Sequence, residues 1–197
     1  MKSIKVLFIA PMNAKGGIGA VLDLYEQHFD SFEVLYTYPE NKAVARLPFY
    51  LKALLKLVQK LSSDPTINIV HIHSASNGSF YRKSIVLLIA KLFGRKTVMH
   101  IHGGGFQIFY RDSFFKDIII KPILNVADQV ICLSESWLEY FSSQLNLKNI
   151  TVLPNPIKLP IIETKTLSSK RIELIYFGAI VETKGIFELV NYLIGNK

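Results

Sequence analysis

Short apolar segments alternate along the chain with longer segments of helical spacing, almost to its C-terminal end. Residues 4–10 are apolar on both faces, which is typical of a fully buried strand. Similar patterns predict strands over residues 32–36, 67–72, 97–101, 129–133 and 150–153. Helical spacing predicts helices between them, over residues 19–29, 46–61, 84–93, 115–127 and 134–145.

The order of these elements predicts the fold class. Strand, helix and strand at this spacing require right-handed crossovers, so the strands should form a parallel sheet with helices on both faces. We therefore expect a doubly wound, Rossmann-like α/β fold. Ser134 is a candidate N-cap for the helix that carries Glu135 in its first turn.

The alternation stops at Pro154-Asn155-Pro156 and resumes only at Arg171. The intervening segment has no sustained period and predicts a linker over residues 157–170. A strand over 171–177 and a helix over 185–194 follow. We therefore expect a first domain over 1–156 and, over 171–197, the truncated start of a second domain.

Composition limits the class of protein. The 197 residues are half hydrophobic, enough for one core of ordinary domain size. The single cysteine, Cys132, excludes a disulfide framework, and no segment approaches the roughly 20 apolar residues of a spanning helix. We expect a cytoplasmic protein. The net charge of +8 suits anionic lipid, phosphorylated substrates or a generally solvated basic surface. Since no RNA or DNA recognition motif is present, we expect no nucleic-acid partner.

The predicted helix that begins at Arg46 is both apolar and basic. One stripe carries apolar side chains and another carries lysines at i, i+4 spacing: Leu47, Leu51, Leu54, Val58 and Leu61 against Lys52, Lys56 and Lys60. Such a helix can rest on anionic headgroups at the inner face of the plasma membrane. The alternative is a core-facing helix with a solvated lysine face.

Ligands of doubly wound sheets bind beyond the carboxyl ends of the strands. A turn with adjacent glycines, Gly16 and Gly17, follows the first strand and opens a helix. Backbone N–H groups at such a helix start can face an anion. The turn matches neither the dinucleotide-binding fingerprint nor the P-loop, and a tight turn without ligand is the alternative.

Two neighbouring strands end in His-x-His, as His71-Ile72-His73 and His100-Ile101-His102. Residues two apart on a strand share a face, so each pair points one way. Four imidazoles there would suit zinc, with a spacing similar to that of metal-dependent amidohydrolases. In the other interpretation, His71 and His100 pack within the strands, while His73 and His102 lie at the mouth and bind sugar hydroxyls. We favour the second, with no metal, because no acidic residue is close in the sequence.

Several motifs together resemble one family. The adjacent glycines are followed in order by VHIHSASNG, HIHGGGF, VICLSESW, VLPNPI and IYFGAIVETKG. This order resembles the family 4 glycosyltransferases of the GT-B fold, particularly those that build bacterial capsular, exopolysaccharide or lipopolysaccharide chains. The resemblance runs along nearly the whole chain. It implies two Rossmann-like domains, the first binding a glycan or lipid-linked acceptor and the second most of a nucleotide-sugar donor. It also implies retaining transfer without a metal or other cofactor.

The resemblance assigns roles to individual residues. His102 corresponds to the histidine beside the transferred sugar and is our catalytic candidate. Gly16, Gly17 and Lys184 correspond to donor-binding residues. Independently of the resemblance, position near the strand ends predicts a donor contact at Gly103, where glycine allows close approach, and acceptor contacts at His73, Ser74, Asn77, Arg82 and Arg111.

Two departures from the family pattern concern the last residues of the chain. Gly178-Ala179 stands where relatives often have glycine and arginine, so a phosphate-binding arginine is replaced. The downstream pair of glutamates is not reached by Lys197, so we expect the 197 residues alone to be inactive. The alternatives to a glycosyltransferase are a metal-dependent hydrolase that uses the His-x-His strand ends, or a non-catalytic basic binding domain.

Overall fold

The computed structural model describes residues 4–12, 17–29, 31–39, 45–157, 174–176, 180, 182 and 185–195. The chain divides into two compact units, Met1–Leu159 and Pro160–Lys197. The predicted linker over 157–170 lies outside the described residues except for Ile157.

The first unit is built on a six-stranded parallel sheet with the order β2-β1-β3-β4-β5-β6. Each strand lies within two residues of its predicted bounds. The strands are β1 (Lys5–Pro11), β2 (Phe32–Tyr38), β3 (Ile67–Ser74), β4 (Lys96–Ile101), β5 (Gln129–Cys132) and β6 (Ile150–Val152). Helices alternate with these strands, so the doubly wound, Rossmann-like α/β fold is confirmed.

The helices of this unit agree less closely with the predictions. They are α1 (Gly17–His28), α2 (Arg46–Ser63), α3 (Gly78–Leu92), α4 (Phe106–Asp112), α5 (Lys121–Val126) and α6 (Glu135–Leu145). The helix predicted over 115–127 is a π-helical turn, Lys116–Ile120, followed by the short α5. Ser134 caps α6 as predicted, since its side chain accepts a hydrogen bond from the Trp137 N–H.

The predicted start of α3 was too late, and α4 was not predicted. In both cases glycines stand at or just before the first turn of the helix and weaken the helical signal. α3 begins at Gly78, directly after Asn77, whose φ of 57° places it in the left-handed region. α4 follows three glycines and was not predicted at all. Both helices are held by tertiary packing of aromatic side chains, because Phe80 and Phe106 are fully buried and their rings meet 5.6 Å apart.

The strand order places α1 apart from the other helices. The connection from β1 to β2 runs toward the β2 edge of the sheet, whereas the other connections between its strands run toward the β6 edge. Right-handed crossovers therefore put α1 on one face and α2, α3 and α6 on the other. The larger core, on the α2 and α3 face, includes Leu57, Leu87 and Phe141. The smaller core, on the α1 face, is formed by Val6, Phe8, Ala10 and Leu22.

The second unit contains one described helix, α7 (Ile186–Gly195), which confirms the helix predicted over 185–194. Only Leu174–Tyr176 is described within the strand predicted over 171–177, and these three residues belong to no regular element. In the parts of the chain that the structure describes, no helix combines the length and apolarity needed to span a bilayer.

Candidate functional site

The carboxyl edge of the sheet contains a topological switch point between β1 and β3. The chain leaves β1 toward β2 on one side, whereas β3 and all later strands lie on the other. Ligands of such sheets bind in the crevice at this point. Gly17 begins α1 beside it and Ser74 ends β3, while Gly16 lies outside the described residues. The end of β4 is two strands from β1, or about 10 Å at ordinary strand spacing.

The four histidines of the two His-x-His segments form one cluster, called here the histidine cluster. Nε2 of His71 lies 3.2 Å from Nδ1 of His100, and Nδ1 of His73 lies 2.8 Å from Nε2 of His102. Within each strand the rings also meet, with centroids 4.7 Å apart for His71 and His73 and 3.9 Å apart for His100 and His102. The prediction that each pair shares a face is confirmed.

The prediction that His73 lies at the mouth is wrong. His73 and His100 have no exposed surface and His71 is 9% exposed, whereas His102 is half-buried. Two features bury His73: β3 continues one residue past it, and rings of the α1 face pack beside it. Phe8 of β1 and Tyr25 of α1 each have a ring centroid 6.2 Å from that of His73. Of the two histidines predicted for the mouth, only His102 has accessible surface.

Burial keeps the histidine cluster neutral at pH 7. Loss of hydration lowers the pKa of His71 to about 3, of His100 to about 2 and of His102 to about 4. The pKa of His73 is also well below its usual value, first because of burial and then because of its histidine neighbours and Lys83. Each neutral ring therefore offers one N–H donor and one acceptor nitrogen.

Several polar atoms of this cluster are buried without a partner. Nε2 of His73, Nε2 of His100 and Nδ1 of His102 form no hydrogen bond. The Asn155 side chain acts to raise the pKa of His102, yet its own Oδ1 atom is also unpaired, so this contact is not a complete hydrogen bond. Buried polar atoms are normally paired with protein, water or a ligand. Nδ1 of His102 is thus a buried atom close to the Asn155 side chain, and the accessible surface of His102 lies elsewhere on its ring.

Three of these histidines also have the spacing of a metal donor set. Ligand atoms of His71, His73 and His100 all lie within 4.8 Å of one another. Neutral imidazole is a preferred ligand of Zn²⁺ and related ions. No acidic residue of the described segments belongs to the group.

The loops after β3 and β4 touch at the mouth. The backbone N–H of His102 donates to the Ser74 carbonyl at 2.8 Å, and a Cβ atom on Gly103 would lie 3.1 Å from the Ser76 nitrogen. This close approach explains glycine at position 103. Ser74 itself has no exposed surface, and its carbonyl is engaged by the His102 N–H.

A cavity of about 440 Å³ opens beside these loops. It is lined by Ser76, Asn77, Gly105, Ile108, Phe109, Asp112 and Ser113. Asn77 was a predicted acceptor contact, and it is exposed at this cavity. Ile108, Asp112 and Ser113 were missed because the helix α4 was not predicted. The sequence signal that could have predicted this helix is the i, i+3 spacing of Phe106 and Phe109 after the glycines. Both are buried, whereas Ile108 is exposed.

The two predicted acceptor arginines have protein partners. The Arg82 guanidinium lies over the Tyr38 ring, 4.5 Å from its centroid. Arg111 is exposed on α4 and its Nε atom contacts the Asp112 carboxylate at 2.7 Å. Asp112 lines the cavity, so Arg111 is next to it, whereas Arg82 is beside the end of β2. The predicted donor contact Lys184 lies outside the described residues.

The predicted apolar stripe of α2 is exposed at Leu47, Leu51 and Val58 but buried at Leu61. The helix buries Tyr50, Ala53, Leu57 and Leu61. The exposed apolar stripe consists of Leu47 at 66%, Leu51 at 52%, Leu55 at 72% and Val58 at 38%. It therefore contains Leu55, which was not predicted to belong to the stripe. Lys60 pairs with Glu33, but within the described residues neither Lys52 nor Lys56 has an ion-pair partner.

Sequence reasoning also missed a buried lysine. Lys83 of α3 is only 3% exposed, and its Nζ atom donates a hydrogen bond to Thr37 Oγ1. Burial, together with the nearby Arg82, lowers the pKa of Lys83 to about 7. The signal in the sequence is weak, since a lysine beside an arginine on a helix normally indicates an exposed face.

Comparison with known proteins identifies the family. Residues 22–159 match the model of Glycosyltransferase Family 4, which is more than half of the chain. The match includes the histidine cluster, the cavity and Lys83, while Gly16, Gly17 and Lys184 lie outside it. A search of curated proteins finds no match.

Proposed function

Because the chain belongs to glycosyltransferase family 4, we propose that it serves a retaining transfer of sugar from a nucleotide-sugar to a glycan acceptor. Membership supports glycosyltransferase activity in general. The finer parts of the proposal are a lipid-linked acceptor and a role in the synthesis of bacterial surface polysaccharide. The exposed apolar surface beside the cavity supports the first of these, and the resemblance of the motifs supports the second.

The observation that carries the proposal is the state of His102. It is half-buried directly after β4, its Nε2 atom lies 2.8 Å from Nδ1 of His73, and its buried Nδ1 atom is close to the Asn155 side chain. A neutral imidazole in this position can exchange a hydrogen bond with a sugar hydroxyl. Its low pKa, about 4, makes it a poor acceptor of a full proton at pH 7, so we assign it to orienting the sugar rather than to general base catalysis.

The cavity beside the mouth suits a glycan acceptor. Ile108 and Phe109 offer apolar surface, while Ser76, Asn77 and Asp112 offer hydrogen-bonding groups. Phe114 and Phe115 follow α4, are 86% and 48% exposed, and contact each other edge to face. Such exposed rings fit the apolar part of a lipid-linked acceptor. We propose that Asn77 and Arg111 contact the acceptor, since Asn77 lines the cavity and Arg111 pairs with Asp112 beside it.

The leaving diphosphate requires positive charge rather than covalent chemistry. The start of α1 at Gly17 provides backbone N–H groups and the positive end of a helix dipole beside the switch point. By resemblance, Gly16 also contacts the donor, and Lys184 of the second unit is a donor-binding residue; Gly103 is assigned to the donor because glycine allows close approach. We propose that this transfer needs no metal or other cofactor.

Membrane contact through α2 is a further part of the proposal. The exposed stripe of Leu47, Leu51, Leu55 and Val58 lies on the helix that also carries Lys52 and Lys56. An amphipathic helix of this kind binds anionic lipid through apolar burial and charge attraction together. It would hold the chain close to a lipid-linked acceptor at the cytoplasmic face.

The test is ligand binding by the purified chain, measured by saturation-transfer NMR with UDP- and GDP-sugars. We expect transfer to the sugar protons, and its loss in His102→Ala. The matched control is His28→Ala, since His28 is exposed at the end of α1. Sugar signals that are equally strong in His102→Ala would contradict the proposal.

The second candidate is a metal-dependent hydrolase. It is favoured by the spacing of His71, His73 and His100, whose ligand atoms lie within 4.8 Å of one another. Elemental analysis of the purified chain and titration with Co²⁺ distinguish the two candidates. Stoichiometric metal with the visible spectrum of tetrahedral Co²⁺, lost in His100→Ala, would support the hydrolase. Metal-free protein that binds nucleotide-sugar would exclude it.

A further inference from the structure

We propose that Lys83 is the cation of an anion subsite at the carboxyl ends of β1 and β2, and that this subsite takes a phosphate group of a substrate. The inference rests on the proposed transfer for the identity of the ligand. It concerns a residue to which neither the motifs nor the family resemblance gives a role.

The first argument is burial without a counter-charge. Lys83 is 3% exposed, and no carboxylate of the described residues lies within ion-pair distance of its Nζ atom. Other lysines near the sheet are paired, as Lys5 is with Asp64 and Lys91 is with Asp128. Buried charges are normally paired, because removal from water is costly. A buried lysine without a counter-charge at a ligand-binding edge therefore indicates an anion that binds there and stabilises the protonated amine.

The second argument is the number of unused donors. A lysine ammonium carries three N–H donors, and one of them is given to Thr37 Oγ1. Thr37 in turn donates to the Ala10 carbonyl at 3.3 Å. The remaining two N–H groups have no partner among the described residues. Phosphate oxygens are suitable acceptors for them.

The third argument is location. Ala10 and Thr37 lie near the carboxyl ends of β1 and β2, at the edge where α1 begins with Gly17. The groups that face Lys83 are cationic or neutral: Arg82 lowers its pKa by charge repulsion, and His73 responds to its charge. Arg82 itself lies over the Tyr38 ring. This end of the sheet therefore carries a positive potential without an acidic partner in the described segments.

The experiment uses inorganic pyrophosphate as the probe and isothermal titration calorimetry at pH 7 as the readout. We expect Lys83→Met to weaken binding at least tenfold. The matched control is Lys148→Met, which removes an exposed lysine before β6 and should leave binding unchanged. Because an unpaired buried charge destabilises the fold, Lys83→Met should also unfold at a temperature no lower than that of the unmodified chain. Equal affinity in Lys83→Met would overturn the proposal.

A measurement on the unmodified chain tests the Lys83 subsite without relying on the folding of Lys83→Met. With ¹³Cε-labelled lysine, pyrophosphate should shift the signal of Lys83, and an unmoved signal at saturation would also overturn the proposal. Competition then distinguishes the source of the phosphate: UDP or GDP displaces pyrophosphate from a donor subsite, and a short prenyl phosphate displaces it from an acceptor subsite. Failure of both ligands to compete would contradict a substrate role. Since pyrophosphate carries no sugar, failure here leaves sugar binding at His102 as a separate question.

Discussion

Nδ1 of His73 lies 2.8 Å from Nε2 of His102, which joins a residue without exposed surface to the half-buried residue at the mouth. His73 is in turn packed against Phe8 of β1 and Tyr25 of α1. The orientation of the His102 ring is therefore set by the core of the α1 face. A ligand group held by another fully packed residue loses little conformational freedom when it binds.

His73→Leu should consequently weaken nucleotide-sugar binding without removing any surface group. We expect a loss of about tenfold, which corresponds to about 1.4 kcal/mol and is the size of one net hydrogen bond. Saturation-transfer titration measures the affinity. His28→Leu is the control, because it removes an exposed histidine distant from this contact in the sequence. Unchanged affinity in His73→Leu would show that His102 does not depend on His73.

Stability should fall as the pH is lowered from 7 to 5. The folded-state pKa values of His71, His100 and His102 lie near 3, 2 and 4, below the unfolded value of about 6.5, so the unfolded chain takes up more protons in this range. The stability that neutral histidine provides is present above about pH 6.5 and is lost as the pH falls toward those lower values. Each histidine contributes at most about 1.4 kcal/mol per pH unit.

Urea unfolding at pH 7, 6 and 5 measures this dependence. His100→Leu should show a shallower decline than the unmodified chain, because one buried imidazole no longer resists protonation. His28→Leu should keep the original slope. Parallel curves for His100→Leu and the unmodified chain would contradict the assignment of neutral, buried histidines.

Gly103 and its neighbour Gly104 provide a matched pair. A Cβ atom on Gly103 would lie 3.1 Å from the backbone nitrogen of Ser76, whereas one on Gly104 would meet no atom within 4 Å. We expect Gly103→Ala to displace the loops at the mouth and to weaken sugar binding severalfold. Gly104→Ala should bind as the unmodified chain does, and equal affinities for the two variants would contradict a role for the close approach at Gly103.

Binding to vesicles tests the exposed face of α2. Replacement of Lys52 and Lys56 by glutamine should lower affinity for phosphatidylglycerol vesicles by about thirtyfold, since each lysine near an anionic surface contributes about 1 kcal/mol. Leu51→Ser with Leu55→Ser should lower it further and should also act at high salt, because the apolar term is not screened. Lys116→Gln with Lys121→Gln is the control. If the α2 variants co-sediment with vesicles as well as the unmodified chain does, the exposed face of α2 is not the membrane-binding surface.

The sheet could be predicted from the sequence because buried parallel strands are nearly continuous apolar segments, as in β1 and β4. The pairing of the histidines followed from the two-residue period of a strand. The burial of His73 could not be predicted, since it depends on Phe8 and Tyr25, which reach it only through the strand order. Nor could the cavity, because glycines masked the start of α4 and its packing is tertiary.

Lys83 and Leu55 are two residues whose burial could not be predicted from the sequence. The charged Lys83 is buried and the apolar Leu55 is 72% exposed, against what their residue types predict. Helical spacing gives the period of a face but not which neighbouring element covers it. Buried charged residues and exposed apolar residues are frequently functional, because the fold keeps them at a cost in stability.

The central claim is that the His102 imidazole contacts the donor sugar. Its most direct test is long-range ¹H–¹⁵N NMR of the histidine rings during titration with UDP- and GDP-sugars. We expect the ring nitrogen signals of His102 to shift with one of these donors, while the signals of the exposed His28 stay in place. A His102 signal that does not move while the donor is demonstrably bound would contradict it.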